Sequence, residues 1–234
     1  MIRFAVIAAG EGSRLSAEGS VVPKPMVQLC GTPMIVRLID IFMNLGADRI
    51  AVIVNPDSTS AVDQLKQMSA SGYPLDVVVR KTESPMHSLF ELAPFLGDGY
   101  FCATTVDTVF SEESLAGLIS GLGRDGFDGI MGVTTLIDDE KPLFVDVNEQ
   151  GEIVKFLDEK GDSGYISAGV YALPVIALET LRECLDGGQK RMRVFQRRLL
   201  EDGLRLKAFD MGPVIDVDHV SDIARAEEII RGVI

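Results

Sequence analysis

A chain of 234 residues, 47% of them hydrophobic, is long enough to bury one sizeable core and reads as a single domain over 1–234. The formal net charge of −13 argues against nucleic acid or anionic membrane as the main partner, because both select basic surfaces; an anionic small ligand needs locally gathered positive charge or a recruited metal ion. Cys30, Cys102 and Cys184 are odd in number and lack metal-ligand spacing, and no apolar run has the length of a signal peptide or membrane span, so the sequence predicts a cytoplasmic protein with reduced thiols.

The apolar run Phe4 to Ala9 predicts a buried strand that ends in a loop, Gly10-Glu11-Gly12-Ser13-Arg14. With no side chain at Gly10 and Gly12, main-chain amides can face anionic oxygens, and Arg14 adds a planar fork of donors suited to phosphate. Lys24, between Pro23 and Pro25, offers a second positive charge on stiffened backbone. A dinucleotide-binding fingerprint needs glycine where Leu15 stands, and a Walker loop needs Gly-Lys-Ser/Thr, which is absent.

Thr32-Pro33 then predicts a helix start with a capping hydroxyl; Ile35, Leu38, Ile39 and Phe42 recur at helical spacing, and Gly46 closes the helix. Arg49 to Val54 reads as a second buried strand, Asp57/Ser58 as the start of a helix through Val62, Leu65 and Met68, and Leu75 to Val79 as a third strand. Ser84-Pro85 repeats the cap-plus-proline start and opens a helix through Leu89, Leu92 and Leu96. The strand Tyr100 to Val106 ends on Asp107, and Ser111-Glu112-Glu113 begins another helix with its acids at the positive end of the dipole. From Gly129 the texture turns to strands, Gly129 to Leu136, Phe144 to Val147 and Glu152 to Leu157, the last two joined by a turn at Asn148 to Gly151. Tyr165 to Leu173 is a further strand, followed by helices around Pro174 to Leu185 and Arg191 to Glu201, a short strand near Val214 to Val217 and a final helix from Asp222 to Ile230. Strands alternating with helices of these lengths predict an α/β fold, a largely parallel sheet covered on both faces.

In such sheets ligands bind beyond the carboxyl ends of the strands, where both the Gly10 to Arg14 loop and Asp107 fall. A carboxylate on a strand tip can face a phosphate only with a cation between them, although Asp107 could equally cap the next turn. Asp216 and Asp218, two apart in extended chain, can aim at one point. His87 and His219 have no partner at metal or triad spacing and read as structural; Lys190, Arg191, Arg193, Arg197 and Arg198 read as the solvated face of a helix.

The run Ala8-Ala9-Gly10-Glu11-Gly12-Ser13-Arg14-Leu15, followed by Pro23-Lys24-Pro25 and Gly31-Thr32-Pro33-Met34, resembles the sugar-phosphate nucleotidylyltransferase family. The resemblance implies a three-layer αβα sandwich with a mixed, mostly parallel central sheet, Rossmann-like and GT-A-like. It also implies transfer of a nucleoside monophosphate from a nucleoside triphosphate to a sugar 1-phosphate with release of pyrophosphate. Carried over residue by residue, it gives Ala8, Ala9, Gly10, Glu11, Gly12, Ser13, Arg14, Lys24 and Ser88 as nucleotide contacts, with Arg14, Lys24 and Asp107 catalytic. Mg²⁺ is implied at Asp107 and Asp216, with Asp218 as a further ligand or a residue behind the ligands. Phe156-Leu157-Asp158-Glu159-Lys160 and Ser167-Ala168-Gly169-Val170-Tyr171 resemble the family's acceptor segments, within a subregion of roughly 129–173, and give Glu159, Lys160, Ser167 and Gly169 as acceptor contacts. Gly161 and Ser167 stand where the family has proline and asparagine, and Thr82 to Ser88 shares little with its base-reading loop, so neither base nor acceptor carries over. The partners expected are a nucleoside triphosphate and a small phosphorylated acceptor, without nucleic acid or membrane; oligomeric state stays open, with a homodimer as one option. The rivals are a cytidylyltransferase acting on phosphocholine or a similar amino alcohol, a non-catalytic nucleotide-binding regulator, and a glycosyltransferase, which would be expected to show Asp-x-Asp where this chain has Val106-Asp107-Thr108-Val109.

Overall fold

A computed structural model describes residues 2–136 and 141–233; positions 137–140 of the subregion 129–173 thus lie outside the described residues. In chain order the elements are β1 (Ile2–Ala8), α1 (Ser13–Ala17), β2 (Gln28–Leu29), β3 (Thr32–Pro33), α2 (Met34–Asn44), β4 (Ile50–Val54), α3 (Thr59–Ala70), β5 (Leu75–Val79) and α4 (Pro85–Leu92). Then follow β6 (Tyr100–Thr105), β7 (Thr108–Val109), α5 (Glu112–Ser120), β8 (Gly129–Thr134), β9 (Phe144–Val147), β10 (Ile153–Leu157) and β11 (Tyr165–Pro174). The last elements are α6 (Ala177–Asp186), α7 (Met192–Glu201), β12 (Leu206–Asp210), β13 (Ile215–Asp216) and α8 (Val220–Ile230).

Side-chain alternation in β1 creates the three layers. Phe4, Val6 and Ala8 enter a core with α2, α3, α5 and α8, while Ala5, Ile7 and Ala9 enter a second core with α4, α6 and α7. Phe4 stacks on Phe42 of α2 with ring centroids 4.3 Å apart, and both are fully buried, each contributing roughly 1.5–3 kcal/mol through burial. β5, β4, β1 and β6 run parallel in that order. β11 joins β6 antiparallel and carries β8, also antiparallel, with β12 parallel beyond it. The hairpin β9–β10 pairs with the first residues of β11. The sheet is therefore mixed and mostly parallel in its first half, with helices on both faces, as expected.

Two local expectations are corrected. Thr32-Pro33 does not start a helix with a capping hydroxyl: Cys30 and Gly31 take φ 49° and 83°, a turn of the kind that closes two-residue hairpins, and Thr32–Pro33 pairs with Gln28–Leu29. α2 begins only at Met34 and has no side-chain cap. β12 had no counterpart in the sequence reading, because its short run Leu206-Lys207-Ala208-Phe209-Asp210 becomes a strand through parallel pairing with β8, a partner remote in the chain. The caps at Ser84 and Ser111 form as expected, their hydroxyls accepting from the amides of His87 and Ser114. No described helix is long and apolar enough to cross a membrane, and all three thiols are free.

Candidate active site

β1 and β6 are neighbours, so the loops that leave their carboxyl ends emerge side by side at the place where the chain order of the sheet reverses. After β1, Gly12 adopts φ 61° at the start of α1, and a Cβ there would stand 2.8 Å from the Cβ of Lys24. The glycine is thus required twice, for its left-handed backbone and for the approach of the Pro23–Pro25 segment. Gly10 has open space around it. α1 then projects Arg14, and a 3-10 turn at Lys24–Met26 presents Lys24.

The C-terminal acids arrive through a two-residue ladder. Ile215 and Asp216 of β13 pair with Val109 and Thr108 of β7, and the Val217 amide donates to the Asp107 carbonyl at 3.0 Å. The Lys24 ammonium touches Asp107 and lies 2.6 Å from Asp218 Oδ1, while Arg14 Nη1 lies 2.7 Å from Asp218 Oδ2. Burial alone would push the Lys24 ammonium down; attraction to Asp107 and hydrogen bonds to both carboxylates outweigh it and hold the ammonium above the usual lysine value. For Asp218 burial again opposes, and Lys24 and Arg14 prevail, keeping the carboxyl below its ordinary range. Both oxygens of Asp218 are therefore committed to cations.

Asp216 differs. It opens onto a cleft yet is ringed by protein, so desolvation first and the negative charge of Asp107 second push it up to about 7, against the opposing hydrogen bond from Thr108 Oγ1 at 2.8 Å. Among the described residues, Asp107 Oδ1 is the buried side-chain oxygen without a hydrogen-bond partner. A carboxyl with an orphaned oxygen beside a second, electrostatically strained carboxyl makes a hard-oxygen donor pair that fits Mg²⁺, which is commonly held by one or two carboxylates with water and phosphate completing the shell. No group of three or more His, Cys, Asp or Glu side chains is placed to hold a metal among the described residues.

Two cavities meet here. The larger, about 750 Å³, is lined by all nine residues expected at the nucleotide, Ala8 through Arg14, Lys24 and Ser88, together with Asp107 and Asp218. The smaller, about 120 Å³, is lined by Ser167, Asp216, Asp222 and His219 among hydrophobic neighbours such as Ile166 and Val214. Arg14 and Asp218 line both. Gly169, with φ 70°, packs against Thr108, where a Cβ would lie 3.4 Å from Oγ1. Glu159 and Lys160 line neither cavity; both are exposed past the end of β10, and the acid of that turn that engages cations is Asp158, paired with Arg193 and Arg197 of α7. These two arginines are thereby tied to Asp158. Asp222 accepts from the amides of Asp218 and His219 at 3.0 and 2.6 Å, bracing the acidic segment at the start of α8. His219 Nδ1 lies 2.5 Å from Glu18 Oε1, which ties α8 to the residue that closes α1.

The sequence reading missed Lys81, Thr82 and Thr108. Lys81 lines the larger cavity and lies 2.6 Å from Glu11 across its mouth, and Thr82 shares a 2.6 Å hydrogen bond with Ser88. Thr108 links Asp216 to Thr105, at 2.8 Å on either side. The threonines flanking Asp107 were the available signal for Thr108; nothing local distinguishes Lys81.

The sequence profile of the MobA-like NTP transferase domain matches residues 4–200. The bifunctional IPC transferase and DIPP synthase of Rubrobacter xylanophilus is 28% identical over 97% of this chain and 52% of its own length, so the chain spans about half of that relative. The inositol-1-phosphate CTP transferase of T. maritima superposes with a TM-score of 0.79 at 21% identity, over 98% of both chains. A putative glucose-1-phosphate thymidylyltransferase from Bacillus anthracis, in complex with sucrose, superposes with a TM-score of 0.85 at 18% identity, over 99% of this chain and 96% of that one. At these identities the two structures speak for the fold, which is the GT-A-like architecture of nucleotidyltransferases.

Proposed function

The chain belongs to the family of MobA-like NTP transferase domains, and from that premise we propose that it moves a nucleoside monophosphate from a nucleoside triphosphate onto the phosphate of a sugar 1-phosphate or similar acceptor, releasing pyrophosphate. The observation that carries this reading is the pair of cavities with Arg14 and Asp218 in their shared wall: a triphosphate in the larger and an acceptor phosphate in the smaller would meet at that wall. The acceptor oxygen is already anionic, so attack on the α-phosphorus needs no general base. The difficulty is charge, since two polyanions must meet in a protein of net charge −13 while negative charge moves to the leaving group.

Arg14 and Lys24 meet that difficulty. Held by Asp218, they are pre-oriented before substrate arrives, which spares reorganisation during the reaction. Gly10 and Gly12 keep the loop free of side chains where the triphosphate would lie. Asp107 and Asp216 would hold Mg²⁺, which when bound neutralises and orients phosphate oxygens. Asp218 is assigned the cations rather than the metal. Ser167, on the wall of the smaller cavity, is assigned to the acceptor; Gly169, Glu159 and Lys160, which line neither cavity, receive no contact with it. The free thiols and net charge support a cytoplasmic setting without nucleic acid partners.

A second reading, cytidylyl transfer to a phosphorylated amino alcohol, has one observation in its favour. The smaller cavity is about 120 Å³ and carries Asp216 and Asp222 on its walls together with Arg14, which suits a compact head bearing both a cation and a phosphate better than a hexose. Incubation of CTP, UTP, ATP, GTP and dTTP with glucose 1-phosphate, inositol 1-phosphate and phosphocholine in the presence of magnesium, scored by pyrophosphate, decides between the two. Silence in every pairing would overturn both.

A further inference from the structure

Gln196 stands on the core-facing side of α7, flanked by Phe195 and Leu199, and is 2% exposed. A leucine would occupy the same face without desolvating an amide, a burden of about 1–3 kcal/mol for a polar group left unpaired. The amide is not unpaired. Its Nε2 donates to Ser167 Oγ at 2.9 Å, and Ser167 lines the smaller cavity. The backbone prepares this meeting: the pairing of β11 with β8 slips between Ser167 and Tyr171, with Gly169 at φ 70° between them, and such a bulge re-aims side chains.

A serine hydroxyl has two lone pairs and one proton. The Gln196 amide nitrogen is a buried donor that needs an acceptor, and one lone pair of Ser167 serves it; an amide nitrogen cannot take the serine proton in return. The serine proton is left for the cavity. We propose that Gln196 is a positioning residue that fixes Ser167 as a one-way hydrogen-bond donor toward a phosphate oxygen of the acceptor, so that α7 sets acceptor affinity without touching either substrate. The inference rests on the acceptor reading of the smaller cavity. It also explains a polar residue inside an otherwise apolar helix face.

The test is a double-mutant cycle in the full chain, with the probe chosen as whichever of glucose 1-phosphate, inositol 1-phosphate or phosphocholine supports the fastest pyrophosphate release. Gln196→Leu is expected to raise the acceptor KM by about tenfold, the scale of one hydrogen bond, while the triphosphate KM stays within about twofold. In a Ser167→Ala background the same change is expected to add nothing. Gln196→Met, which keeps the length of the side chain and removes the donor, is expected to behave alike and stands in if Gln196→Leu does not fold. Equal increases in both KM values, additive losses in the double variants, or loss of the folded state in both single variants would overturn the positioning role. An unchanged acceptor KM in Ser167→Ala itself would overturn the reading of the cavity, a result distinguishable from the others.

Discussion

Replacing Lys24 with methionine keeps the bulk of the stem and deletes the charge between Asp107 and Asp218. The Lys24 side chain is 11% exposed and Asp107 19%, whereas Asp218 is 36% exposed and keeps Arg14. Removing one partner of a buried pair costs about 3–5 kcal/mol, and the exposed half of the bridge counts for little, so the loss is set at about 3 kcal/mol. For a domain of this size that lowers Tm by about 6–12 °C. Turnover is expected to fall by about 10²–10³, the scale of one transition-state electrostatic contact. The two effects separate in Lys24→Met/Asp107→Asn, where the stranded charge is gone: its Tm is expected to recover by several degrees while turnover does not recover and falls at or below the level of the single variant. Scanning calorimetry and a pyrophosphate-coupled assay read both. A Tm for Lys24→Met within about 2 °C of wild type, or a double variant that melts below the single one, would refute the reasoning.

Gly12→Ala places a Cβ 2.8 Å from that of Lys24 on a φ of 61°, so Tm should fall measurably, whereas Gly10→Ala, with nothing within 4 Å, should keep Tm and raise the triphosphate KM. The reverse ranking in a thermal shift assay would contradict the assigned roles of the two glycines. Chelation by EDTA should abolish pyrophosphate release and added magnesium restore it, and Asp107→Asn and Arg14→Ala should each lower turnover by about a hundredfold; full activity in EDTA would count against a carboxylate-held cation. Iodoacetamide at pH 8.5 should modify the exposed Cys30 alone, since Cys184 is buried with its thiol pushed up, and burial pushes the Cys102 thiol up to about 12, which keeps it protonated. Mass spectrometry showing rapid native labelling of Cys102 would contradict the packing around β6.

The elements that sequence reading found are those whose cause is local. β1, β4 and β5 announce themselves as apolar runs, and Ser84 and Ser111 as caps, because neither needs a distant partner to be recognised. β12, the β2–β3 hairpin and β7, with its pairing to the expected strand β13, depend on partners elsewhere or on a left-handed turn at Cys30, where side-chain pattern is silent. At the site, the glycine loop, Arg14 and Lys24 were legible as a linear motif. That Asp218 binds both cations, that Glu159 and Lys160 lie away from the cavities, and that Gln196 reaches Ser167 are facts of three-dimensional neighbourhood, with up to 204 residues separating the partners.

The short ladder between Thr108–Val109 and Ile215–Asp216 sets an order on biosynthesis. While a nascent chain still lacks the residues beyond 210, its glycine loop faces Asp107 alone, and neither the tether for Arg14 nor the second acid yet exists. Under the proposed chemistry a ribosome-bound fragment that lacks Asp216 and Asp218 stays inert, so that competence for turnover would report on the arrival of the β13 segment that precedes the final helix.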